Sequence, residues 1–146
     1  MESWYDKTNS IMRSKELRMT PSLPTILLVE DDDILREINA MKLELDGFTF
    51  ETAKHGLDAL RILENFKPDI IVLDMMMPVM NGIEFLRRYR DINGSSDVIV
   101  FSNISSPENT KDVLELGARE YLNKSRYTPQ ELTEHLKTYW ANREIA

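Results

Sequence analysis

Four consecutive acidic residues, Glu30-Asp31-Asp32-Asp33, follow the apolar run Ile26-Leu27-Leu28-Val29, and a single aspartate, Asp74, follows a second run, Ile70-Ile71-Val72-Leu73. Ser102 follows Val98-Ile99-Val100-Phe101, and Lys124 comes just after Tyr121-Leu122. Carboxylates gathered in one place repel, so they must be protonated, separated or bridged by a cation. Oxygen-only ligands with no His or Cys beside them select a hard divalent ion, and a cluster partly open to water favours Mg²⁺ over caged Ca²⁺. Glu30 and Asp31, nearest the apolar run, are the ligand candidates; Asp32 is expected to be exposed and Asp33 to cap a following helix. A carboxylate placed as Asp74 is can attack phosphorus and form an acyl phosphate. The developing charge would then be met by the metal, the Lys124 ammonium and the Ser102 hydroxyl. Singly, these residues read as a strand-end solvating group, a surface charge and a loop hydroxyl; it is their joint placement that points to chemistry.

That placement depends on the elements between them. Thr25 to Val29 has the continuous apolar character of a strand buried on both faces. Ile34, Ile38, Met41 and Leu45 repeat at helical spacing, with Gly47 placed to stop the helix. Phe48 to Ala53 reads as strand two, and Leu57, Leu60, Leu63 and Phe66 as a helix ended by Pro68. Residues 70–73 are strand three, and Ile83, Leu86 and Tyr89 mark the next helix. Residues 98–101 are strand four, followed by a helix from Ser106-Pro107 to Gly117. Tyr121-Leu122 is a short fifth strand. Thr128-Pro129-Gln130-Glu131 is a capping box that opens a last helix through Leu132, Leu136 and Tyr139. Alternating strands and helices with short loops predict an α/β fold, a doubly wound five-stranded parallel sheet in the order 2-1-3-4-5. Its crevice lies beyond the carboxyl ends of strands one and three, where Glu30, Asp31 and Asp74 fall.

The composition excludes several function classes. The chain has 146 residues, a formal charge of −7 and no cysteine, which argues against general nucleic-acid binding, disulfides and thiolate chemistry. No window has the apolar length of a membrane helix and the N-terminus lacks a signal-peptide core, so a cytoplasmic protein is expected. Residues 1–23 read as an N-terminal extension and 24–146 as the folded domain. Ile11, Met12, Leu17 and Met19 have the spacing of a short amphipathic helix, although a frayed terminus is the plainer expectation. Trp4 and Tyr5 hint that the extension docks somewhere.

Three stretches, residues 26–32 (ILLVEDD), 68–82 (PDIIVLDMMMPVMNG) and 117–124 (GAREYLNK), resemble the response-regulator receiver domain of two-component signalling, a flavodoxin-like fold. The resemblance runs from about Thr25 to Trp140. It implies that Asp74 accepts a phosphoryl group from the phosphohistidine of a sensor histidine kinase or a histidine phosphotransfer protein. By the same resemblance Asp31, with Glu30 alongside, holds Mg²⁺ and the Met76 backbone carbonyl is a further ligand. Lys124 contacts the phosphoryl group, Ser102 moves to meet it, and Tyr121 is the aromatic switch residue. Such a domain catalyses only its own phosphorylation and dephosphorylation. Three departures stand out. Asn81 replaces a common Asp, Asn103 is larger than the small residue usual there, and Ser125 replaces the usual proline, which predicts a trans Lys124-Ser125 bond. The chain beyond Lys124 suffices for one helix, so output is expected through contacts with a protein target and not through an appended DNA-binding module.

Other readings fit less well. A flavin carrier would not follow strand one with four acids, and a haloacid-dehalogenase-type phosphohydrolase wants Asp where Met76 stands. The glycine-rich Lys-Ser/Thr phosphate loop is absent. A phosphorelay intermediate, or a degenerate receiver that only binds proteins, stays open.

Overall fold

The computed structural model describes residues 22–103 and 107–145. The elements run β1 (Ile26–Val29), α1 (Asp33–Leu45), β2 (Phe50–Ala53), α2 (Gly56–Ile62), β3 (Ile70–Leu73) and α3 (Gly82–Asp91), then β4 (Asp97–Ser102), α4 (Pro107–Glu115), β5 (Glu120–Asn123), a 3₁₀ turn at Lys124–Arg126, and α5 (Pro129–Ile145). The strands form one parallel sheet in the order β2-β1-β3-β4-β5, as expected.

Alternate residues of each strand feed opposite cores. Leu27, Val29, Ile71, Leu73, Val98 and Val100 pack with Ala59, Phe85, Leu86 and Val113 from α2, α3 and α4. Ile26, Leu28, Ile70, Val72, Ile99 and Phe101 pack with Leu43, Leu132 and Leu136 from α1 and α5. Both faces being covered explains why the central strands read as unbroken apolar runs.

Three sequence expectations need correction. Phe48 does not open β2, which begins at Phe50. Instead the Phe48 N–H donates to Leu43 O and that of Gly47 to Glu44 O, both at 3.0 Å, with Gly47 at φ 85°. Phe48 is thus the apolar residue that closes a helix stop against Leu43. The second helix ends at Ile62, well before Pro68, because Glu64 and Asn65 donate to carbonyls three residues back and tighten the chain into a turn. In α1, Ile34, Ile38, Met41 and Leu45 mark the helix correctly but face outward, Ile34 being 70% and Leu45 80% exposed. The inward positions are Asn39 and Leu43. On the inward side Leu43 joins the core and the Arg36 guanidinium donates to Glu30 O at 2.9 Å, both consistent with this rotation.

The capping box forms as read: Thr128 Oγ1 accepts from the Glu131 N–H at 3.1 Å, and Glu131 Oε1 from the Thr128 N–H at 3.3 Å. Among the described residues no helix is long and apolar enough to cross a membrane. The candidate amphipathic segment 11–19, with Trp4 and Tyr5, lies outside the described residues, as does Ser106, the expected start of α4.

Candidate functional site

The sheet register aligns the chemistry. Val29 pairs with Leu73, and Leu73 with Val100, so Glu30 and Asp74 leave adjacent strands at one level, and the Asp74 N–H donates to Val29 O at 3.1 Å. Ser102 pairs with Asn123, which sets Lys124 one residue beyond Ser102. Four strand ends therefore converge by backbone pairing alone.

The side chains meet there. Lys124 Nζ lies 3.0 Å from Asp74 Oδ2 and also bonds Glu30 Oε1. Ser102 Oγ donates to Asp74 Oδ1 at 3.2 Å, and the Met76 N–H donates to the same oxygen at 3.1 Å. Glu30, Asp74 and Ser102 are buried, whereas Asp31 is exposed. Ligand oxygens of Glu30, Asp31 and Asp74 all lie within 4.8 Å of one another. An oxygen-only cluster of that span with one member open to water fits a hard, partly hydrated divalent cation.

Burial dominates the electrostatics. It pushes Glu30 up to about 7, helped by the hydrogen bond to Asp74 and opposed by Lys124. Burial also acts to raise Asp74, but its hydrogen bond with Glu30 and the Lys124 charge outweigh this and hold it below the usual carboxylate range. Burial disfavours the Lys124 charge, yet its two carboxylate partners more than offset that and raise its pKa. Glu30 is thus the more readily protonated of the two carboxylates, and Asp74 has a fixed ammonium at one oxygen and two donors at the other.

The loop after Asp74 is built around close backbone approach. The Gly82 N–H donates to Met75 O at 3.1 Å, and a Cβ on Gly82 would lie 2.8 Å from Met75 Cα and 3.0 Å from Asp74 O. Only glycine lets α3 start against the peptide of Asp74. Asn81 keeps its cap, accepting from the Glu84 N–H at 2.9 Å. Val79, at φ 66°, is the centre of a tight turn in which the Met80 N–H donates to Pro78 O at 2.7 Å, a strained γ-turn geometry for a β-branched residue.

One expectation changes here. The α1 cap is Asp32, whose Oδ1 accepts from the Ile34 and Leu35 N–H groups at 3.0 Å, whereas Asp33 is the first helical residue and pairs with Arg36. The cap falls one residue earlier because Asp32 is still extended, at φ −70° and ψ 114°. Tyr121, the aromatic switch candidate, is half-buried, and its hydroxyl is covered with no hydrogen-bond partner among the described residues. Burial raises its pKa, and the Ser102 hydroxyl pulls the other way. Asn103 is exposed and lines a cavity together with Glu30 and Lys124. The described peptide bonds are all trans, including Lys124-Ser125. Asn123 Oδ1 accepts from the Ser125 N–H at 2.9 Å and from its hydroxyl at 2.7 Å, and this side-chain turn fixes the backbone that aims Lys124. Arg36 was missed as a supporter of Glu30; its only sequence signal is its place one turn into α1.

The profile of the response regulator receiver domain matches residues 26–137. The probable C4-dicarboxylate response regulator DctR of Priestia megaterium is 34% identical over 102 residues, 68% of this chain and 45% of the relative. The phosphate regulon transcriptional regulatory protein PhoB of Pseudomonas aeruginosa is 34% identical over 115 residues, 77% of this chain and 50% of the relative. The chain thus spans about half the length of the curated relatives it matches. Among solved structures, the Francisella response regulator 1452 receiver domain aligns with a TM-score of 0.74 at 30% identity, over 82% of this chain and 98% of that one. A CheY-like receiver domain protein from Methanospirillum hungatei JF-1 aligns at 0.76 and 28% identity, over 85% and 98%. With the family profile spanning most of the chain and the fold agreeing strand for strand, this chain belongs to the response regulator receiver domain family of two-component signalling.

Proposed function

We propose that Asp74 accepts a phosphoryl group from the phosphohistidine of a sensor histidine kinase or histidine phosphotransfer protein. The observation that carries this reading is the meeting of Asp74 with Lys124, Ser102, Glu30 and Asp31 at one sheet edge. An Asp74 carboxylate oxygen attacks phosphorus, the donor's P–N bond breaks, and its electron pair leaves with the imidazole nitrogen, which takes up a proton. Lys124 holds Asp74 Oδ2 and is poised to neutralise the incoming phosphoryl oxygens, while Ser102 supplies a hydroxyl donor on the other side. Mg²⁺ bound by Glu30, Asp31, Asp74 and the Met76 carbonyl would neutralise charge on both the acceptor and the transferred group. Residues 24–146 act as the receiver domain, with 1–23 as an extension. A cytoplasmic donor makes the cytoplasm the place of work.

The modified domain then changes its affinity for a protein target, the face of α4, β5 and α5 being the proposed output surface. Incubation with acetyl phosphate and Mg²⁺, followed by intact-mass measurement, should add one phosphoryl group. Asp74→Asn should add none, and equal labelling of that variant would overturn the assignment.

A further inference from the structure

The outward face of α1 has no partner among the described residues. Ile34, Ile38, Met41 and Leu45 line one side of the helix, all exposed, with the acidic Glu37 and Glu44 exposed among them. A continuous apolar stripe of this length on a small domain marks a contact surface. Leu35 and Ile38 also line a cavity of about 230 Å³ that reaches Glu30 and Lys124, so whatever covers the stripe borders the site around Asp74.

The described chain begins at the right place to supply the cover. Leu23 Cδ1 lies 4.0 Å from the Cβ position of Gly47, two residues beyond Leu45, so Leu23 sits at the end of the stripe. Ile11-Met12-Arg13-Ser14-Lys15-Glu16-Leu17-Arg18-Met19 combines four apolar residues with three basic ones and a single acid. It complements an apolar stripe flanked by Glu37 and Glu44. Reach is sufficient: Ile34 to Leu45 spans about 17 Å at helical rise, and nine residues cover about 14 Å if helical and about 30 Å if extended.

We propose that residues 11–19 of this chain dock on the stripe formed by Ile34, Ile38, Met41 and Leu45, covering α1 beside the Asp74 site. The inference does not rest on phosphoryl transfer.

Because the chain has no cysteine, Ser14→Cys gives one attachment point for a nitroxide in the full chain. Amide signals of Ile34 to Leu45 should lose half or more of their intensity relative to the reduced label, while those of Val113 and Leu114 keep theirs. Ile11→Asp combined with Met12→Asp should restore the α1 signals, with the circular dichroism unchanged. Unbroadened α1 signals in the labelled chain would overturn the proposal. So would broadening that appears only when labelled chains are mixed with isotope-enriched unlabelled ones, since the stripe would then bind a second copy.

Discussion

Glu30 and Asp74 leave neighbouring strands at the same level and share the Lys124 ammonium between them. Two buried carboxylates with one cation cannot both ionise cheaply, and the burden falls on Glu30. In the proposed function this division favours Asp74 as the nucleophile and makes Glu30 the carboxyl whose proton a bound metal would displace.

The pH dependence follows from that division. Glu30 is raised from 4.5 to about 7 in the folded protein, so the folded state holds a proton that the unfolded chain has already lost. Its stabilising contribution is complete below about pH 4.5 and disappears as pH rises to about 7. Asp74 and Asp46, both lowered, lose their contributions only at more acid pH, and Lys124, raised, only in alkali. The metal-free protein should therefore resist urea better near pH 5 than near pH 8, and Glu30→Gln should flatten the difference. Calorimetry should show Mg²⁺ binding weaken below about pH 7 with release of a proton. A slope that survives in Glu30→Gln would place the proton elsewhere.

The acidic run divides into separate jobs. Asp31→Ala removes an exposed carboxylate of the cluster and should weaken Mg²⁺ binding about tenfold or more with little change in stability. Asp32→Ala removes the α1 cap and should cost about 1 kcal/mol while leaving Mg²⁺ affinity close to that of the unsubstituted chain. Asp33→Ala loses only an exposed pair with Arg36 and should do little to either. Calorimetric titration beside urea unfolding separates the three, and equal metal affinity in all of them would show that Asp31 is not a ligand.

Most of the site was legible because the central strands are buried on both faces. An unbroken apolar run gives the strand's end, and in a parallel sheet the residues there are presented to the crevice, which locates Asp74 directly; Ser102 proves to be the last residue of β4, and Lys124 follows a fifth strand longer than Tyr121-Leu122. What stayed hidden was rotational phase. The periodicity of Ile34, Ile38, Met41 and Leu45 fixes a helix but not which side faces inward; the inward side carries Leu43 in the core and the Arg36 bond to Glu30. Likewise Phe48 looked like a strand residue because an apolar helix stop and a strand start share one signal. Asp32 and Asp33 are chemically identical neighbours, and only backbone dihedrals choose the cap.

The close approach of α3 to the acceptor loop predicts unequal effects at two glycines. In Gly82→Ala the new Cβ meets backbone of Met75 and Asp74, which must shift, at about 1–3 kcal/mol of stability and with slower labelling by acetyl phosphate. Gly117, at φ 104°, has open space around its Cβ position. Gly117→Ala should cost about 1–2 kcal/mol through backbone strain while leaving labelling of the folded fraction unchanged. Equal labelling rates in both variants would mean that the Met75 to Gly82 geometry does not tune the acceptor.

The final prediction concerns transmission of the signal. Ser102 Oγ bonds Asp74 Oδ1 in the unmodified chain, so the serine contact precedes any modification, while Tyr121 is half-buried with its hydroxyl covered. A phosphoryl group then acts by strengthening an existing attraction to Ser102 and shifting a population. A swing from 1:99 to 99:1 requires about 5.5 kcal/mol, and a chain in which Ser102 already bonds Asp74 needs less to complete it. Beryllium fluoride, a phosphoryl mimic, should move NMR signals from Asp74 through Ser102 to Tyr121 and on to Val113 and Leu114 in α4. The α4 shifts should be smaller than for a full two-state exchange. Ser102→Ala should confine the changes to the site, and Tyr121→Phe, which removes only the unpartnered hydroxyl, should preserve the response or strengthen it by relieving a buried unsatisfied group. Shifts that stop at Asp74 in the unsubstituted protein would break the coupling and leave a domain that only passes phosphate onward.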